Sequence, residues 1–247
     1  MKIRNWLTLG AAALAAALAG PAAAQGNAAS NAGNYPDRPI RLIVPFPPGG
    51  TSDVVGRIFA EALGKQIGQP VVVENRGGAG GTVGSRAVAS ATPDGYTLLL
   101  GTSSTNGTNS AVYKNLPYDA VKDFTPVTQI IRVPGVIVVN KNFPAKDYAA
   151  FFALIKGAPG KYSYASSGNG GATHMAMEYY KSLSGLDMMH VPYRGTGPAL
   201  NDVIAGQVPI LWDTAASSMA HIQSGSLRAI VVAAKKRLPQ LPDVPTF

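Results

Sequence analysis

The sequence contains no cysteine. That absence removes disulfides, thiolate metal sites, cysteine nucleophiles and any lipid anchor built on an N-terminal cysteine, so the core alone must hold the fold. Charge is sparse, with 21 Lys+Arg against 13 Asp+Glu in 247 residues, and it is scattered singly. No basic helix interleaved with aromatics is present, which argues against nucleic acid as a partner. Beyond the first two dozen residues no stretch offers 18 continuous apolar positions, so the mature chain is expected to be soluble. Catalytic signatures are also missing: there is no G-x-S-x-G elbow and no H-E-x-x-H pair. Gly157-Ala158-Pro159-Gly160-Lys161 is followed by Tyr162, so it is no phosphate-binding lysine loop. No cofactor and no metal is implied.

The chain begins with Lys2 and Arg4, followed by an uncharged apolar run over 6–19, and then Ala22 and Ala24 in small-x-small spacing. This is the pattern of a cleavable export signal over residues 1–24, cut near Ala24 and placing the mature chain in the periplasm. Its removal leaves 19 basic and 13 acidic residues, a net +6, which favours anionic ligands. Residues 25–35 are small and polar and are expected to form a disordered tether.

From Pro39 onward strands alternate with helices. Strands are predicted at 40–44, 71–74, 96–100, 162–165, 188–191, 208–212 and 227–232, with helices at 51–67, 83–91, 146–156, 172–183, 198–205 and 215–223. The alternation predicts an α/β fold with mixed, mostly parallel sheets in two lobes. Lobe 1 is expected over 36–138, lobe 2 over 139–232, and a crossover back toward lobe 1 over 233–247. Apolar residues at helical spacing predict inward faces of Val54, Val55, Ile58, Ala62, Leu63 and Ile67 on one helix. On another they are Ala172, Met175, Ala176, Tyr179, Tyr180 and Leu183.

Gly78-Ala79-Gly80-Gly81-Thr82-Val83-Gly84 follows a strand, but its G-x-G-x-x-x-G spacing is one residue longer than a dinucleotide fingerprint, and Asp94 lies in a turn. More informative are three Gly/Ser/Thr-rich loops at strand ends that run into helices: 45–53, 101–105 and 166–173. Helix N-termini present unbonded N–H groups and a partial positive charge, and glycine lets a ligand approach the backbone. Such loops can hold an anion without arginine. The candidates in them are Phe46, Gly50, Thr51, Ser52, Asp53, Thr102, Ser103, Ser167, Asn169, Gly170, Thr173 and His174. His174 either lines the cleft or is an ordinary helix residue. Asp213 either faces the cleft and selects ligands or caps the helix after it. A secreted serine hydrolase built from Ser166, His174 and Asp213, or a non-catalytic scaffold, are the alternatives.

Pro36, Arg38-Pro39-Ile40-Arg41, Val44-Pro45-Phe46-Pro47-Pro48-Gly49-Gly50-Thr51-Ser52-Asp53, Val71-Val72-Val73-Glu74-Asn75-Arg76 and Pro93-Asp94-Gly95-Tyr96-Thr97-Leu98-Leu99 recur in one family. So do Leu116-Pro117-Tyr118-Asp119, Val191-Pro192-Tyr193, Gly206-Gln207-Val208 and Leu241-Pro242-Asp243-Val244-Pro245-Thr246. The chain from Tyr35 to Phe247 resembles the Bug family, the periplasmic receptors of tripartite tricarboxylate transporters. The resemblance implies a type II periplasmic-binding-protein fold and no enzymatic activity. It implies a monomer that pinches a small carboxylate between the 46–53 and 166–173 loops and delivers it to membrane permease subunits. Many relatives carry Ser-Thr where this chain has Thr51-Ser52. They also continue past the position of Phe247 with a tail that returns to the first lobe. Their pattern therefore implies a first lobe lacking that return.

Overall fold

A computed structural model describes residues 34–247. The export signal predicted over 1–24, and all but the last two residues of the tether, lie outside them. Among these residues eight strands form two sheets. The first has the order β2-β1-β3, built from β1 (Ile40–Val44), β2 (Val71–Asn75) and β3 (Thr97–Leu99), with β1 parallel to both neighbours. The second has the order β6-β5-β7-β4-β8, built from β4 (Gly135–Asn140), β5 (Ser163–Ser166), β6 (Met189–Pro192), β7 (Ile210–Thr214) and β8 (Leu227–Ala233). There β5 runs parallel to β6 and β7, whereas β4 runs antiparallel to β7 and β8.

Helices follow the strands: α1 (Thr51–Ile67), α2 (Thr82–Ala89), a short α3 (Asn109–Val112), α4 (Tyr148–Lys156), α5 (Ala172–Ser184), α6 (Thr196–Ala205) and α7 (Ala215–Gln223). Asp147 starts α4 by accepting the Ala150 N–H at 2.8 Å, while Gly68, Gly185 and Gly206 end α1, α5 and α6 in the left-handed conformation. These are the residues expected at helix ends.

The second lobe holds most of the core because its sheet is covered on both faces. Strand alternation sends Ile137 and Val139 to one face, against Phe151 and Ile155 of α4 and Met177 and Tyr180 of α5. It sends Val136 and Val138 to the other, against Ala199, Leu200 and Val203 of α6. The whole of β4 belongs to this sheet, so the second lobe starts before the 138/139 boundary expected from sequence. The 233–247 segment was expected to cross toward lobe 1, but it folds back on lobe 2. Val232 and Thr246 form a parallel bridge, Leu241 joins the apolar cluster over α6, and Phe247 stacks on Trp212 at 6.0 Å. This apolar surface is what keeps the segment there, and β8 is well covered, with Ile230, Val231 and Val232 all buried.

The first lobe packs differently from expectation. On α1 the buried positions are Asp53, Gly56 and Ala60, whereas Val54 and Ile58 are exposed. The small residues win because the helix sits close to the sheet: a Cβ at Gly56 would lie 2.9 Å from Val44 Cγ2. On α5, in the second lobe, the expectation holds in part: Tyr180 is buried and Ala176 packs against the core as expected, joined by Thr173 and Met177, while Met175, Tyr179 and Leu183 are exposed.

Candidate functional site

The 45–53 loop leaves β1 at Pro45, which cannot continue the ladder, and enters α1 at Gly50, an N-cap without a side-chain partner. Asp53 does not face the cleft as a ligand contact. It is buried and clasps its own lobe: it accepts from the Gly49 N–H (3.1 Å) and Asn75 Nδ2 (3.0 Å), and pairs with Arg57 at 2.9 Å. Burial works to raise its carboxyl, but these donors outweigh it and hold it below its ordinary value. Phe46 is buried too, and its carbonyl accepts from Asn75 Nδ2 at 3.0 Å.

In lobe 2 the 166–173 loop is stitched to itself. The Ser167 N–H and hydroxyl both bond Thr173 Oγ1 at 2.8 Å, and the Gly170 N–H donates to His174 Nδ1 at 3.1 Å. Gly170 was expected to offer its N–H to a ligand; instead that group is spent inside the loop, because the left-handed turn at Gly170 aims it back at α5. His174 stacks on His190 at 3.9 Å, and His190 stacks on Tyr164 at 5.0 Å. His190 Nε2 meets Ser166 Oγ at 2.6 Å. The serine–histidine pair is therefore Ser166 with His190, not His174. It is structural: Ser166 is fully buried and receives the Gly168 N–H at 3.1 Å.

Asp213 is also not a cleft-facing selector. It has no exposure, and its Oδ2 accepts from Ser217 Oγ and Ser218 Oγ, each at 2.6 Å. The N-cap of α7 is Thr214. Thr102 ties the 101–105 loop to Thr105 through its N–H at 2.9 Å, Ser103 is exposed, and Asn169 offers its carbonyl to Tyr113 at 3.2 Å.

The lobes meet through residues that the sequence reading mostly passed over. The Thr51 hydroxyl lies 2.5 Å from Thr214 Oγ1 and 2.8 Å from Ser217 Oγ. Ser104 Oγ accepts the Ala172 N–H at the start of α5 (2.8 Å), and Thr108 Oγ1 donates to the Gly170 carbonyl (3.1 Å). Gly50 lies so close to α6 that a Cβ there would be 2.6 Å from Thr196 Oγ1 and 3.3 Å from Gly197 N. Thus the positive N-termini of α1, α6 and α7 converge on one place between the lobes. The signal for α6 and α7 was present: Gly195-Thr196-Gly197 and Thr214-Ala215-Ala216-Ser217 are also small, hydroxyl-bearing loops at strand ends. Among the described residues no group of His, Asp and Glu could hold a metal ion, and no helix is long and apolar enough to cross a membrane.

Comparison with known proteins agrees with this arrangement. Residues 55–247 match the model of the tripartite tricarboxylate transporter family receptor. A protein of Pseudomonas sp. (strain P51), the UPF0065 protein in the tcbD-tcbE intergenic region, is 39% identical over 217 residues, covering 86% of this chain and 63% of that protein. Protein BugT of Bordetella pertussis is 38% identical over 218 residues, covering 88% of this chain and 67% of its own length. Among solved structures, R. palustris Rpa4515 with adipate superposes with a TM-score of 0.84 at 35% identity, covering 86% of this chain and 71% of that one. MatC from Rhodopseudomonas palustris with bound malate gives 0.80 at 36% identity, covering 86% and 72%. The chain spans about two thirds of the length of these relatives. It belongs to the tripartite tricarboxylate transporter receptor family, the group that includes the Bug proteins.

Proposed function

We propose that this chain is a periplasmic receptor that captures a small dicarboxylate between its lobes and delivers it to the permease subunits of a tripartite transporter. One observation carries the reading: the N-termini of α1 and α6 meet across the lobe boundary, with glycine at the point of closest approach. Two positive helix ends facing each other repel, and an anion between them turns that repulsion into attraction. The Ser52 hydroxyl, in the first turn of α1 and unpartnered among the described residues, is the side chain best placed to add a hydrogen bond. Two family members of known structure hold adipate and malate, both dianions. A two-lobed receptor of this kind acts as a monomer.

The test is a thermal-shift and calorimetric titration against C4–C6 dicarboxylates, tricarboxylates and matched monoamides. At least one dicarboxylate is expected to raise Tm, and its monoamide to do so far less. Turnover of an ester by the Ser166–His190 pair, or indifference to every carboxylate, would overturn the reading.

A further inference from the structure

We infer that Asp213 is a positioning residue: through Ser217 it sets the direction of a hydroxyl relay that latches the first lobe, at Thr51, onto the second. The inference rests on the receptor reading above only in supposing that the lobes open and close.

Each hydroxyl has one proton to give. Ser217 gives its proton to Asp213 Oδ2, the closest acceptor at 2.6 Å. Toward Thr51, 2.8 Å away, Ser217 Oγ can then act only as acceptor. The Thr51 proton is thereby committed to Ser217. Thr51 Oγ1 must in turn accept from Thr214, 2.5 Å away. The direct Thr214–Ser217 approach is longer, at 3.3 Å. The relay runs from Thr214 to Thr51 to Ser217 to Asp213, and Thr51 is its only first-lobe member.

Asp213 suits this end position because it is a buried acceptor with no competing donor from solvent. Its second oxygen, Oδ1, is buried and unpartnered among the described residues. Burial pushes the carboxyl up, against the serine hydroxyls that pull it down. Ser218 donates to the same Oδ2 at 2.6 Å, while the hydroxyl partners of Thr51 among the described residues are Thr214 and Ser217. It therefore separates a latch from a simple support beneath α7.

The experiment measures closure directly. The chain has no cysteine, so cysteines placed at the exposed positions Lys65 and Lys156 give a clean dye pair, one in each lobe, for single-molecule energy transfer. Thr51→Val and Ser217→Ala are each expected to lower the closed fraction at least threefold. The double variant should go no further than either single one. Ser218→Ala, and the rescue variant Thr51→Ser, should match the parent. Equal opening by Ser218→Ala and Ser217→Ala, or multiplicative effects of Thr51→Val and Ser217→Ala, would overturn the relay. The measurement is made first without ligand and then with malate. A latch that behaves as described while malate and other dicarboxylates leave the parent unchanged would defeat the receptor reading and leave the relay standing.

Discussion

Asp53 shows how a residue that reads as a ligand contact is absorbed by its own loop. Replacing it with alanine takes the acceptor from the Gly49 N–H and removes one partner each from Asn75 Nδ2 and Arg57. Losing hydrogen bonds to a buried charged acceptor costs about 1.5–3 kcal/mol, so Asp53→Ala should lower the urea midpoint by that equivalent, and Asp53→Asn by less. His190 makes a second prediction. It faces Tyr164 and Ser166 of β5 and His174, Glu178 and Lys181 of α5. Burial first, and the neighbouring His174 second, push it down to about 4. A histidine depressed on folding binds fewer protons folded than unfolded. Its contribution is therefore fully present above the unfolded value of about 6.5 and is lost as pH falls toward 4. His174 shifts in the same direction, also chiefly by burial. The Tm of the parent should fall between pH 6.5 and 4, and His190→Asn should flatten that fall. A parent curve flat through this window would contradict the assignment.

At the scale of elements, the glycines at the lobe boundary differ from those inside a lobe. A Cβ at Gly197 would lie 2.3 Å from the Pro48 carbonyl oxygen and 3.2 Å from Gly50 N, both in the other lobe. One at Gly84 would lie 2.7 Å from Pro45 Cα, in the same lobe. Opening relieves the first clash, and nothing relieves the second. Gly197→Ala should therefore weaken dicarboxylate affinity at least tenfold with little change in Tm, whereas Gly84→Ala should lower Tm with or without ligand. Calorimetry and a melting curve on each variant check both. The order of strands and helices was legible in the sequence because Pro45, Pro93 and the Gly-rich loops punctuate clear apolar runs. The inward face of α1 was not, and that of α5 was legible only at Tyr180 and Ala176. Hydrophobic spacing ranks side chains by size and polarity, but Gly56 and Ala60 are inside because the helix lies close to the sheet. The strand-end loops singled out in the sequence lie at the lobe boundary, yet they leave out the starts of α6 and α7, which lie there too. Hydrogen bonds such as Gly170 to His174 depend on where the turn aims its N–H, which composition does not encode.

At the scale of the whole molecule, a chain of formal charge +8, or +6 without residues 1–24, should draw a dianion in from solution. The Debye length shrinks from about 30 Å at 0.01 M salt to about 8 Å at 0.15 M. The association rate of a bound dicarboxylate should therefore fall across that range while its dissociation rate changes little, as stopped-flow mixing would show. In the second sheet β4 precedes the other four strands along the chain but lies between β7 and β8, with Ile137 facing Trp212 on one side and Val231 on the other. Strand pairs so distant along the chain form slowly, since a long loop must close before any contact rewards it. The apolar stretch from Val136 to Val139 therefore waits unpaired until nearly the whole described chain is available. The same delay that leaves this stretch open to helpers and to aggregation also keeps the polypeptide threadable until β8 arrives.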